Sequence, residues 1–105
     1  MNEIEKMYKT CNIKKYRLLD RGHKLKWVYP PFTAEKQLFL IQWLLDKTDL
    51  YLHRNKSDFT YSIATGDIAV NKYKCFNESI AELINAIWQD LTEEEKTNIK
   101  NILEM

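Results

Sequence analysis

Residues 38–45 read LFLIQWLL, a run in which seven of eight residues are apolar. Thr33, a good helix N-cap, precedes the run and the polar stretch 46–49 follows it, so we predict a helix over 33–47. A helix on a single sheet needs one apolar stripe, whereas this run is apolar on nearly every side. We therefore expect it to be buried around most of its circumference. One side would meet a sheet, and the other a helix over 77–91 or, failing that, a second copy of the protein.

Other helices are predicted from apolar spacing and capping residues. Ile4, Met7 and Tyr8 indicate a short N-terminal helix. Apolar residues at helical spacing predict the helix 77–91, and the capping-box pattern that starts at Thr92 begins another helix, 92–103.

Alternation of residue types predicts about four strands, over 24–29, 50–54, 59–65 and 68–74. The helix 33–47 connects the first two strands, which predicts a right-handed crossover and a parallel pair. The fold class is therefore α+β, an α/β sandwich whose mixed four-stranded sheet carries the helices on its apolar face.

The last three strands form a predicted antiparallel meander. Gly66 and Asp67 predict a two-residue turn that sets Ile63 opposite Val70 and Tyr61 opposite Lys72, and the loop 55–58 sets Leu52 opposite Tyr61. Both turns place the apolar residues on the same face, which supports the register.

Residues 13–21 allow two interpretations. Asn12 as N-cap and Gly22 in a left-handed position would bound a second short helix. The alternative is a strand that turns at residues 20–23 and precedes the strand 24–29. The prolines at 30 and 31 end that strand, which is then either a protected edge or a dimer seam.

The opposite face of the meander is the first candidate site. It combines aromatic, hydroxyl and amide side chains that would line a shallow groove for an extended peptide: Tyr51, His53, Thr60, Ser62, Asn71 and Tyr73. The alternative is that the N-terminal helix covers this face through Ile4, Met7 and Tyr8.

A basic segment is the second candidate site. The net charge is only +1, but residues 1–31 carry +5 and residues 32–105 carry −4. Basic residues at i, i+3 and i+7 would form one stripe on a helix and neutralise phosphates of a nucleic acid: Lys14, Arg17 and Arg21, with Lys24 nearby.

Catalytic, metal and cofactor sites are not expected. His23 and His53 lack a second ligand at a metal-binding spacing, and two glycines do not make a phosphate loop. Cys11 and Cys75 fit two unpaired thiols in the cytoplasm. The chain reads as a single domain over 1–105, with no segment that would enter a membrane.

The order of helix, tight meander and second apolar helix over residues 32–91 resembles small phage- or prophage-encoded α-β-α sandwich proteins. The residues that carry the resemblance are 33–45, the tyrosine-rich strands, and Tyr73 to Phe76 leading into 80–88. The resemblance implies a phage or mobile-element setting and transfers no functional residue. We expect a non-enzymatic protein-binding module, monomeric or homodimeric, with nucleic-acid binding as the alternative.

Overall fold

A computed structural model describes residues 2–47, 49–56, 60–65, 68–73 and 75–105, with side chains except at 52, 55, 60, 61, 63, 65 and 68–73. The elements are α1 (Glu3–Thr10), β1 (Tyr16–Leu19), β2 (Leu25–Val28), α2 (Ala34–Lys47), β3 (Leu50–Asn55), β4 (Thr60–Thr65), β5 (Ile68–Tyr73), α3 (Phe76–Ile87), a 3₁₀ turn (Trp88–Asp90) and α4 (Glu93–Leu103). The protein is α+β, as predicted, but its strands form two separate sheets among the described residues.

Helix α3 is the centre of the fold. It packs against α1 on one side and against β4 and β5 on the other, and α2 also contacts it. Ile80, Leu83 and Ile84 are fully buried, because apolar residues at intervals of three and four positions line the surface that α3 presents to these neighbours. The central helix is therefore α3, and not the helix 33–47 that was expected to be buried around most of its circumference.

Helix α2 is buried along one stripe only. Leu40 and Leu44, one turn apart, are fully buried, and α2 packs mainly on α4 and α3. In contrast, Leu38 is 65% exposed and Leu45 is 57% exposed. The expectation that the run LFLIQWLL is buried on most sides is wrong.

The first sheet is a hairpin of β1 and β2. The strands are antiparallel, with Leu19 opposite Leu25 and Tyr16 opposite Val28. The open question about residues 13–21 is thus settled in favour of a strand. The predicted parallel pairing of strands 24–29 and 50–54 is wrong, because β2 finds its partner in the adjacent segment, through a far shorter connection than a crossover.

The second sheet is the predicted meander β3-β4-β5. The pairing of Ile63 with Val70 is confirmed. Leu52 lies opposite Ile63 and not opposite Tyr61, a shift of two residues that preserves the faces. An irregularity between Tyr61 and Ile63 sets Tyr61 opposite Tyr73 and not opposite Lys72. The turn at 66–67 and residues 57–59 lie outside the described residues.

Side chains cap the helices at several predicted positions. The Thr33 hydroxyl accepts from Lys36 N at 3.3 Å, and Thr92 forms the predicted capping box with Glu95. The bond that Thr92 N donates to Glu95 Oε1 at 2.9 Å, with a smaller effect of the Thr92 hydroxyl, lowers the pKa of Glu95. Asn12 does not start a helix: it adopts a positive φ of 57° just after α1. The predicted helix 77–91 gives way to the 3₁₀ turn after Ile87.

Candidate functional site

The β1–β2 hairpin, which we call the arm (residues 16–28), exposes large apolar side chains on both faces. Leu25 is 62% exposed and Trp27 is 61% exposed, and Tyr16, Leu18 and Leu19 are also exposed. Since register partners share a face, Leu19, Leu25 and Trp27 lie together on one side of the ribbon. Isolated two-stranded hairpins are marginally stable in water, so this surface is suited to burial against a partner.

The turn of the arm is held by Asp20. Its side chain accepts hydrogen bonds from Gly22 N at 2.9 Å and Lys24 N at 2.8 Å, which closes the loop between the strands. His23, and not Gly22 as predicted, takes the left-handed conformation, with a φ of 58°. The Asp20 side chain therefore stabilises the turn by accepting hydrogen bonds from the backbone of the residues that follow it.

The arm and the residues just before it carry most of the basic side chains of the N-terminal segment. Lys14, Arg17, Arg21 and Lys24 are all exposed, and Arg17 lies over the Trp27 ring at 5.4 Å from its centroid. The predicted helical stripe of Lys14, Arg17 and Arg21 is wrong, because Arg17 is in a strand and Arg21 is in a turn. The positive charge is instead distributed along a ribbon that is also apolar.

A cleft of about 490 Å³ lies between the base of the arm and α1. Tyr8, Trp27 and Tyr29 line it, together with Pro30, Pro31 and Phe32. The Tyr8 and Tyr29 rings stack with centroids 5.2 Å apart, and the Lys15 ammonium lies 4.9 Å from the Tyr29 centroid. This volume falls within the range of ligand pockets, and aromatic walls with a cation at the rim suit a peptide segment.

Tyr8 contributes a buried polar group to the wall of this cleft. Its hydroxyl has no hydrogen-bond partner within the described part of the chain. Burial, with a smaller contribution from the nearby Cys11 thiol, raises the pKa of Tyr8 to about 12. Burial likewise raises the pKa of Cys11 to about 12, an effect that Lys100 partly opposes. Both groups are therefore neutral over the physiological pH range.

The meander surface, the first candidate from sequence, is open where its side chains are described. Tyr51 is exposed and stacks with exposed His53, with ring centroids 6.2 Å apart. Ser62 is half-buried. The N-terminal helix does not cover Tyr51 and His53; α1 packs on α3. The side chains of the other predicted groove residues lie outside the described residues: Thr60, Asn71 and Tyr73.

Helix α2 supplies a third surface. Leu38 and Leu45 are exposed two turns apart on one line of the helix, and Phe39 is exposed beside them. Glu35 and Asp46 are exposed on the same side by helical spacing. This surface is therefore apolar and acidic, whereas the arm is apolar and basic.

Sequence reasoning missed the apolar residues of the arm because it left the structure of residues 13–21 open. The useful pattern is the pairing of Leu18 and Leu19 with the alternating strand 24–29 across the turn at Asp20. A helix interpretation of the same residues hides that pairing.

The histidines and the possible metal ligands of the described residues do not form a cluster. Within the ranges that the structure covers, no three His, Cys, Asp or Glu side chains converge as metal ligands would. His23 and His53 lie in different hairpins, and both are exposed. Among the described helices, none has the length and apolar content needed to cross a membrane.

Comparison of the chain with protein-family models, curated proteins and solved structures finds no match. The fold and its surfaces define a small α+β protein with an apolar, basic arm.

Proposed function

We propose that the protein is a non-enzymatic protein-binding module and that the arm is its docking surface. The observation that supports the proposal is the cluster of Leu19, Leu25 and Trp27 on one face of a two-stranded ribbon. These side chains are 57–62% exposed, so a partner that buries the exposed part adds about 1–2 kcal/mol per side chain. The basic residues around them favour an acidic partner.

The cleft extends this surface towards α1. Trp27 belongs to both the arm and the cleft, so a partner that covers the arm also reaches the aromatic wall formed by Tyr8 and Tyr29. An extended segment of the partner would fit there better than a helix, because the opening lies beside a strand and two prolines. This replaces the meander groove of Tyr51 and His53 as the main site in our proposal.

Nucleic-acid binding is the second candidate function. It is favoured by the exposed Lys14, Arg17, Arg21 and Lys24 and by Trp27, whose ring offers a stacking surface for a base. The exposed leucines of the arm gain nothing from a phosphate backbone, so we rank this function below protein binding.

Peptide selection tests the proposal without a known partner. A displayed library of random peptides is panned against the immobilised protein, and we expect enriched peptides that combine acidic and apolar residues. The variant Leu25→Glu should weaken their binding by about tenfold or more, because one apolar contact is lost. Tyr51→Glu, with a similarly exposed residue on the meander, is the matched control and should leave binding unchanged.

Two results would contradict the proposal. Peptides that bind Leu25→Glu as well as the wild type would remove the arm from the site. Salt-dependent binding to labelled single- or double-stranded oligonucleotides, abolished by substitutions at Arg17 and Lys24, would favour the nucleic-acid function instead.

In this proposal the setting is the cytoplasm of a cell that carries a phage or another mobile element. The resemblance of residues 32–91 to small phage proteins supports the setting. Cys11 and Cys75, both unpaired, support a reducing compartment.

A further inference from the structure

Two of the apolar surfaces that the described residues expose are of similar make-up and opposite charge. Leu19, Leu25 and Trp27 form the first, on one face of the arm, with Arg17 paired to Trp27 on that same face. Each side chain of this trio is more than half exposed. A monomer leaves all of this surface in water.

The second surface is the exposed side of α2. It presents Leu38, Phe39 and Leu45, flanked by Glu35 and Asp46. The cations of this helix lie elsewhere. The Lys36 side chain is buried, with its ammonium donating to Leu103 O at 2.9 Å, and Lys47 lies on the opposite side by helical spacing. The apolar side of α2 therefore carries acidic residues and no basic ones among the described side chains.

We propose that the partner of the arm is a second copy of this chain, with the arm of one copy packed on the exposed side of α2 in the other. The inference rests on the proposed function, since it names the partner of the same arm. Contact between two arms would bring the Arg17 side chains together, and contact between two α2 helices would bring Glu35 and Asp46 together with their counterparts. Of these three contacts between described surfaces, the arm-to-α2 pairing joins apolar to apolar and positive to negative.

The two surfaces also match in size. Leu38 and Leu45 are about 10 Å apart along the helix axis, at about 1.5 Å per residue. Leu25 and Trp27 are about 7 Å apart along their strand, at about 3.3 Å per residue. Each surface thus offers three large apolar side chains over a comparable length. The interface is heterologous, because the arm of one copy meets α2 of the other. Such an interface forms twice in a closed dimer, or once between each pair of neighbours in a longer oligomer.

Sedimentation equilibrium, or size exclusion with light scattering, measures the mass over micromolar to millimolar concentrations. We expect the wild type to rise from the 12.6 kDa of the monomer towards twice that mass or more. Leu25→Glu disables the arm, and Leu38→Lys disables α2. Each variant alone should have an association constant at least tenfold below that of the wild type. Tyr51→Glu, equally exposed on the meander, should associate like the wild type.

Mixing the two disabled variants gives the decisive measurement. Leu38→Lys retains an intact arm and Leu25→Glu retains an intact α2, so an equimolar mixture should form a complex of twice the monomer mass. Circular dichroism of each variant, with Leu45→Lys as a second α2 variant, separates lost association from lost folding.

Several outcomes overturn the inference. A wild type that stays at 12.6 kDa at every concentration excludes self-association. A mixture of the two folded variants that associates no more strongly than either variant alone excludes the arm-to-α2 contact. If the wild type is monomeric but still selects acidic peptides through Leu25, the proposed function stands and only the second copy is rejected. If the wild type associates but Leu25→Glu leaves peptide binding intact, the arm is rejected as the site of peptide binding, whereas self-association is retained.

Discussion

Replacement of Tyr8 by phenylalanine tests the most unusual group in the cleft wall. The Tyr8 side chain is almost fully buried, and its hydroxyl has no partner among the described residues. A buried hydroxyl without a hydrogen bond costs about 1–3 kcal/mol. Phenylalanine keeps the stacking on Tyr29 and the edge contact with Phe32. We therefore expect Tyr8→Phe to increase the free energy of unfolding by about 1 kcal/mol at pH 7. This change corresponds to an increase in Tm of about 4 °C.

The pH dependence makes this prediction sharper. The pKa of Tyr8 rises from 10.0 in the unfolded chain to about 12 in the folded protein, so the folded state retains a proton that the unfolded state loses. Ionisation of Tyr8 in the unfolded chain therefore lowers the free energy of unfolding as the pH rises from 10 towards 12, and it has little effect below pH 10. At pH 11 the loss is roughly 1 kcal/mol, so the advantage of Tyr8→Phe should grow to about 2 kcal/mol.

Urea unfolding followed by tryptophan fluorescence, at pH 7 and at pH 11, measures both quantities. Tyr51→Phe is the matched control, because it removes an exposed tyrosine hydroxyl and should change stability by less than about 0.5 kcal/mol. A loss of more than about 1 kcal/mol in Tyr8→Phe would show that the hydroxyl is hydrogen bonded. An advantage that is the same at both pH values would refute the raised pKa.

Other predictions concern the thiols, a buried lysine and the turn of the arm. Iodoacetamide should alkylate exposed Cys75 in the folded protein and reach Cys11 only in denaturant, as mass spectrometry of the digested protein would show; modification of both thiols at one rate would contradict the burial of Cys11. Lys36→Met should lower the free energy of unfolding by about 1–2 kcal/mol, because the carbonyl at the end of α4 loses its donor; unchanged urea unfolding would mean that water replaces the ammonium. His23→Gly should raise Tm slightly, since glycine adopts the positive φ of 58° without a Cβ clash, and a lower Tm would place the imidazole in a stabilising contact.

The meander was predictable because the predicted turns and the alternation of apolar and polar residues place the same residues on one face of the sheet. The turn predicted at residues 66 and 67 implied one pairing, that of Ile63 with Val70, and the structure confirms this pairing. The other pairing is shifted by two residues, an error that alternation does not detect because it leaves every residue on its own face. The irregularity that sets Tyr61 opposite Tyr73 depends on local backbone geometry and has no counterpart in the pattern.

The arm was harder to predict, because residues 13–21 satisfy a helix and a strand equally well. Lys14, Arg17 and Arg21 have helical spacing, and Asn12 is a good capping residue. What decides between the two is the partner strand 25–28 and the Asp20 side chain, which bonds the turn backbone twice. Both are contacts between different segments, and the residue pattern within 13–21 alone does not predict them.

The apolar run of α2 shows why composition alone misplaces a core. Leu38 and Leu40 are identical in type and two residues apart, yet Leu38 is mostly exposed and Leu40 is fully buried. Folding moves only Leu40 out of water, so Leu40→Ala should cost about 2–5 kcal/mol of unfolding free energy. Leu38→Ala should change it by less than about 0.5 kcal/mol. If Leu38→Ala nevertheless abolishes association at unchanged stability, contact between molecules explains why the exposed side of the run is apolar. If Leu38→Ala unfolds the protein as Leu40→Ala does, α2 is buried on both sides and the surface proposed for the second copy does not exist.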